Sequence, residues 1–268
     1  MTDSAKDMPE LHYVTAGSGA PLLILHGLFG SSKNWHSHVQ RFAEDFQVFS
    51  IDLRNHGQSF HADEMNYPAM AMDVAQLIAR LGLQDCRILG HSMGGKVAMT
   101  MALQHPALIS RMIVADIAPV AYHHDYDDLI EPILALDLDS FDTRTQIDHA
   151  LRPSIPEDQL RAFLLQNLVR EAGAWRWRVN WPVIQRDMDD LTGFAPLQSD
   201  WISGLPSLFI RGARSDYVGS AEIELIEHHF SDVSIATIDN AGHWLHAEQP
   251  LEFSRLALEF LLQDDFLQ

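Results

Sequence analysis

The sequence predicts an α/β protein: a mostly parallel sheet flanked by helices, with a helical cap inserted between two strands. Three observations carry this. Short apolar runs alternate with helix-like segments up to residue 119. The alternation breaks over 120–203, which is acidic and shows helical apolar spacing in "LIEPILALDL" and "EDQLRAFLLQNLV". It then resumes to the end of the chain. The expected division is a core made of 10–119 and 204–268, with the cap at 120–203.

The elements follow in order. "LLILHG" (22–27) is a run of strand length ended by glycine, and "FQVFSIDLRNHG" (46–57) holds another, ended by a polar loop. "YPAMAMDVAQLIARLG" (67–82) fits a helix, with Pro68 in its first turn and Gly82 at its C-terminal cap. Met72, Ala75, Ile78 and Ala79 can share its buried face. "CRILG" (86–90) reads as a strand, "MGGKVAMTMALQHP" (93–106) as a helix ending before Pro106, and "RMIVAD" (111–116) as the next strand. No strand is expected again until "SLFIRG" (207–212). A helix at 220–229, a strand in "VSIATID" (233–239) and a helix at 250–263 complete the pattern.

Composition narrows the function. The chain has 268 residues, 47% of them hydrophobic, enough for a large core. Its 37 acidic and 18 basic residues leave a formal charge of −19. That field repels phosphate backbones and anionic lipid, which argues against nucleic-acid partners and stable membrane association. The single cysteine, Cys86, excludes an intrachain disulfide and a Cys-based zinc site, and it reads as a buried structural residue. No apolar run reaches the length of a membrane span. The opening "MTDSAKDMPE" lacks the basic-then-apolar order of a signal peptide. A soluble, cytoplasmic protein is the expectation.

The chemistry concentrates at strand ends. Gly90-His91-Ser92-Met93-Gly94 is a G-x-S-x-G motif with a strand before it and a helix after it. That context holds a serine on a sharp turn, its Oγ projecting from the sheet edge and the helix N-terminus aimed at the site. Ser92 is the candidate nucleophile. An oxyanion hole needs two backbone N–H groups. Met93 would give one, and Leu28, just after His26-Gly27, is the best candidate for the other. His26 itself reads as a brace for that loop. "NAGHWLHAEQP" (240–250) puts His243 on a late strand-end loop, the place of a general base in the chain order Ser…Asp…His. His243 and His246 stand three apart, but without a third ligand they do not make a metal site. His91 reads as lining the pocket or bracing the turn, and His123 and His124 as surface residues.

These stretches together resemble a known family. "HGLFGSSKNW", "DLRNHGQS", "GHSMGGKVAM", "VADIAP", "WRVN" and "AGHWLHAEQP" are similar to the α/β-hydrolases, in particular the YbfF-type bacterial esterases and their mitochondrial relatives. The resemblance spans residues 22 to 250. It implies an eight-stranded, mostly parallel α/β-hydrolase sheet with the cap inserted after the sixth strand. It also implies esterase or thioesterase activity on small-molecule acyl esters, acyl-CoA among them, with no metal and no organic cofactor. Trp175, Trp177 and Trp181, in the cap, are then candidates for walls of the acyl pocket, with core packing as the alternative.

The acid of the triad has two candidates. Many α/β-hydrolases supply it from a G-x-x-D turn after the seventh strand. Here that turn reads Gly212-Ala213-Arg214-Ser215, so Ser215 stands in the acid's place and Asp216 comes one residue late. Asp116 ends the strand directly after the nucleophile's helix. Strands joined by one short helix are usually neighbours, so Asp116 is expected one strand from Ser92 at the same sheet edge. The resemblance adds that YbfF-like enzymes use this aspartate. Asp116 is therefore the favoured acid, with Ser215 and Asp216 as alternates or helpers. Amide, lactone or C–C hydrolysis on the same fold, and a ligand-binding receptor that kept the hydrolase shell, are the competing readings. The serine at position 92 speaks against dehalogenase and epoxide-hydrolase chemistry, which on this fold generally uses aspartate there.

Overall fold

The computed structural model describes residues 10–123, 126–194 and 201–263. His124 lies outside the described residues. In chain order the elements are β1 (Tyr13–Ala16), β2 (Ala20–Leu25), α1 (His36–Phe42), β3 (Phe46–Ile51), α2 (Tyr67–Leu81), β4 (Cys86–His91), α3 (Met93–Gln104) and β5 (Ile109–Ala115). There follow α4 (Asp127–Leu134), α5 (Arg144–Leu151), α6 (Asp158–Leu165), β6 (Leu168–Glu171), β7 (Ala174–Trp177), α7 (Trp181–Arg186) and α8 (Met188–Thr192). The chain closes with β8 (Ser207–Gly212), α9 (Ser220–His229), β9 (Val233–Ile238), α10 (Leu245–Glu248) and α11 (Pro250–Leu261).

The main sheet runs β1-β3-β2-β4-β5-β8-β9. β1 is antiparallel to β3, and every other pairing in it is parallel. Strands buried on both faces need apolar side chains at consecutive positions, which explains the unbroken run in β2. Leu22, Leu23, Ile24 and Leu25 are all fully buried. Their alternation sends Leu23 and Leu25 to one core and Leu22 and Ile24 to the other. The first core packs under α2 and α3 and continues into the 126–194 segment, and the second lies under α1 and α11.

Four expectations need correction. The sheet has seven strands among the described residues rather than eight, and the inserted segment therefore follows its fifth strand. Among the described residues β1 alone precedes β2, and it covers the outer edge of β3. Second, the inserted segment is not wholly helical. β6 and β7 form an antiparallel hairpin across Ala172-Gly173, both at positive φ (49° and 90°), the twist that two-residue hairpin loops require. Third, Ala75 and Ile78 of α2 are buried as expected, together with Met70, Ala71, Val74 and Leu77, whereas Met72 is 45% exposed and Ala79 also faces solvent. The expected and observed stripes have the same helical spacing, and packing against α3 selects the more apolar one. Fourth, Trp175, Trp177 and Trp181 do not line the main cavity. Trp181 is buried against Phe29 (ring centroids 4.8 Å apart) and Trp177, while Trp175 donates its Nε1–H to the Phe141 carbonyl.

Cys86 is fully buried, and that burial pushes its thiol up to about 11, as befits a structural residue. Among the described residues no helix is long and apolar enough to cross a membrane.

Candidate active site

The parallel register brings four strand ends to one edge. His91 pairs with Ala115, Ala115 with Ile210, and Gly212 with Ile238. The residues that follow these ends are Ser92, Asp116, the 213–217 turn and the 239–244 loop, so side chains up to 151 positions apart in sequence converge.

Ser92 lies between β4 and α3 at φ 52°, ψ −117°, a conformation costly for a residue with a Cβ and tolerated where the surroundings over-determine it. The glycines on either side are a steric requirement. A Cβ on Gly90 would fall 2.1 Å from the Gly94 carbonyl oxygen, and one on Gly94 would fall 2.4 Å from that of Leu25.

Ser92 Oγ–H donates to His243 Nε2 at 3.0 Å, and His243 Nδ1–H donates to Asp116 Oδ2 at 2.8 Å. Asp116 is 1% exposed, also left-handed at φ 52°, and is held at both oxygens. Gly212 N–H donates to Oδ1 at 3.0 Å, and the Ser215 hydroxyl donates to Oδ2. Ser215 thus touches the carboxylate from the turn where a G-x-x-D aspartate would stand. Asp216, one residue on, is exposed.

His243 is oriented by more than its carboxylate. The Tyr217 ring stacks on its imidazole at 3.9 Å. His91 Nε2–H donates to its backbone carbonyl at 2.8 Å, tying the loop to the Ser92 turn. His246 is buried and stacks on Trp35 at 4.5 Å, so it packs the base of the loop. His123 is exposed.

Among the described residues, no acceptor takes the backbone N–H of Leu28 or Met93. Both belong to segments that border the site: Leu28 and Ser92 line a cavity of about 300 Å³, and Leu28, Ser92 and Met93 line a smaller one of about 30 Å³. The larger cavity is walled by Tyr126, Phe163, Tyr217 and Trp244. The smaller also touches Lys96, whose Nζ–H groups donate to the Thr192 and Gly193 carbonyls at 2.9 and 2.7 Å. Burial holds the Lys96 ammonium down to about 7. Tyr217 and Asn167 belong to no motif that the sequence displays, and Lys96 and His56 stand inside "GHSMGGKVAM" and "DLRNHGQS" without being singled out there. The lysine inside the apolar helix "MGGKVAM" is the plainest signal among them.

His26 braces its loop as expected. Its Nδ1–H donates to the Gly27 carbonyl at 2.8 Å, and its Nε2 accepts the Leu53 N–H at 3.0 Å. His56 makes the reciprocal bond, accepting the Phe29 N–H on Nε2 at 3.0 Å. Burial, reinforced by neighbouring histidines, lowers His56 and His91 to about 3. Between pH 6.5 and about 3 the unfolded chain binds these two protons and the folded chain does not, so stability falls as pH falls. Denaturant melts at stepped pH should show this loss below pH 6. His26, His38 and His246 are lowered by burial as well, so His91→Asn should make the loss shallower without abolishing it, and an unchanged slope would contradict the assignment.

The family model for the α/β hydrolase fold matches residues 20–250. The chain is 37% identical to the sn-1-specific diacylglycerol lipase ABHD11 of Xenopus tropicalis, over 93% of this chain and 80% of that one. It is 33% identical to Esterase YbfF of Escherichia coli, over 87% and 89%. Among solved structures, "Marine microorganism esterase" is 40% identical and superposes with a TM-score of 0.91, covering 94% of this chain and all of that one. Sheet order, motif placement and these matches agree: the chain belongs to the α/β-hydrolase family.

Proposed function

We propose that the chain is a serine hydrolase of carboxylic esters, with Ser92 as nucleophile, His243 as general base and acid, and Asp116 as the carboxylate that orients it. The observation that carries this is the continuous hydrogen-bonded line from Asp116 through His243 to Ser92 at the edge of a cavity of about 300 Å³. His243 Nε2 takes the Ser92 proton as Oγ attacks the ester carbonyl. The carbonyl π pair moves to oxygen, and that oxyanion is met by the Leu28 and Met93 N–H groups. The tetrahedral intermediate collapses, and the alcohol leaves with the proton that His243 held. Water, deprotonated by the same imidazole, then releases the acid and restores Ser92. Asp116 keeps the proton of His243 on Nδ1 throughout and stabilises the imidazolium. The Ser215 hydroxyl supports the carboxylate at Oδ2, the same oxygen that accepts from His243, and the Gly212 N–H holds Oδ1.

The same steps serve a thioester, acyl-CoA included, and the relatives named esterase and lipase favour ester over amide or lactone substrates. The 120–203 segment acts as the cap, its Tyr126 and Phe163 closing the cavity over Ser92. None of these steps calls on a metal or organic cofactor. The charge of −19 favours small-molecule substrates over nucleic acid and anionic lipid, and a cytoplasmic location is part of this reading.

A fluorophosphonate probe should modify Ser92 alone, as read by mass spectrometry of the digested protein. A panel with one acyl group on alcohol, thiol and amine should show turnover of the ester and thioester. Absence of both labelling and ester turnover would favour the non-catalytic receptor reading, and faster turnover of the amide would favour amide hydrolysis.

A further inference from the structure

The donor at Leu28 depends on the conformation of its loop, and two residues outside the triad act on that loop through Phe29. Residues 27–30 form a tight turn closed by Gly30 N–H to the Gly27 carbonyl at 2.9 Å. The same carbonyl accepts His26 Nδ1–H at 2.8 Å. A peptide group carries its C=O and N–H on opposite sides, so pinning the Gly27 oxygen directs the Leu28 N–H the other way. The turn has an unusual centre, because Phe29 sits at φ 63°, in the left-handed region that a side chain of its size disfavours.

Three contacts hold Phe29 there. Its N–H donates to His56 Nε2 at 3.0 Å. Its carbonyl accepts Asn167 Nδ2–H at 2.7 Å. Its ring packs on Trp181. His56 is fully buried, and its Nδ1–H donates to the Arg54 carbonyl, which leaves Nε2 free to accept. Asn167 is 4% exposed and, like Trp181, belongs to the inserted 120–203 segment. One strained residue is therefore clamped from the core side by His56 and from the inserted segment by Asn167 and Trp181.

We propose that His56 and Asn167 are positioning residues for the oxyanion hole, holding the 27–30 turn in the form that presents the Leu28 N–H, so that docking of the inserted segment and completion of the hole are one event. This rests on the ester-hydrolase reading. Loss of either bond lets Phe29 relax toward negative φ, rotates the Leu28–Phe29 peptide and loosens the Gly27–Gly30 bond. Neither residue touches substrate.

The test compares two ligands that differ in the oxyanion alone. A trifluoromethyl ketone accepts Ser92 Oγ at its carbonyl carbon, passing the π pair to oxygen and the serine proton to His243. The matching methyl ketone binds without forming that adduct. Removing one donor from such a hole costs about a hundred- to a thousandfold, and a partly displaced donor costs less. Asn167→Ala should lower kcat by about ten- to a hundredfold while KM stays within about threefold. The trifluoromethyl ketone inhibition constant should rise by the same factor as kcat/KM falls, with the methyl ketone unchanged. Asn167→Asp, which turns an acceptor toward the Phe29 carbonyl, and His56→Leu, which removes the acceptor of the Phe29 N–H, should behave alike. The ratio of the two inhibition constants is internal to each protein, so a partly unfolded preparation cannot imitate the effect. Should no variant fold, the wild-type adduct decides: its crystal structure should show the oxyanion on the Leu28 N–H with the Asn167–Phe29 bond intact. Unchanged ratios in folded variants, or an adduct with the Leu28 N–H turned away, would overturn the proposal. A wild type inert to every ester and to the trifluoromethyl ketone would instead overturn the ester-hydrolase reading.

Discussion

Ser92→Ala should lower kcat on a chromogenic short-chain ester by about a millionfold, because nothing else at the site can form the acyl-enzyme. The substitution removes one oxygen from the Ser92 turn, and the flanking glycines keep the backbone as it is. Folding should therefore be unaffected, and thermal melts of the two proteins should superpose. The residual rate over water would come from the Leu28 and Met93 N–H groups and from binding. A fluorophosphonate should no longer modify the protein. Activity within about tenfold of wild type would remove Ser92 from the mechanism and direct attention to a different nucleophile.

Asp116→Asn and Asp216→Asn form the second decisive pair. Asp116→Asn is nearly isosteric, so the space between β5 and β8 stays filled, but the amide no longer secures the Nδ1–H tautomer of His243. The expected loss is about ten-thousandfold in kcat. Asp216 is exposed one residue beyond the turn that holds Ser215, and Asp216→Asn should leave kcat within about threefold. The reverse pattern would mean that the 213–217 turn moves during catalysis and that the bond between His243 and Asp116 is a resting arrangement. Initial rates of both variants, measured across pH 6–9, are sufficient.

Much of this fold is legible in the amino-acid sequence. β2, β4, β5 and β8 are each built around a short run of consecutive apolar residues, as burial on two faces favours. Gly90 and Gly94 report a close approach of backbones that any side chain would block. The hairpin of β6 and β7 is harder to see, because its four-residue strands alternate too briefly to stand out beside helices. Its Ala172-Gly173 turn is a legible clue all the same. On α2 the helical periodicity is plain but does not single out the buried stripe, since spacing specifies a period and packing partners specify the phase.

The sequence by itself determined the parallel core, the nucleophile turn, the late histidine loop and the order in which Ser92, Asp116 and His243 occur. These follow from local patterns: apolar runs, glycine spacing, and the rule that strands joined by one helix lie side by side. Only the tertiary structure decided that His243 faces Asp116, that Ser215 serves this carboxylate, and that Tyr126, Phe163, Tyr217 and Trp244 wall the cavity. It also decided that His56 and Asn167 meet on Phe29. Such contacts join residues 27 to 151 positions apart, and strand register and the seating of the inserted segment set them to within an ångström. No local pattern encodes that distance, because it emerges only when the two cores on either side of the sheet are packed.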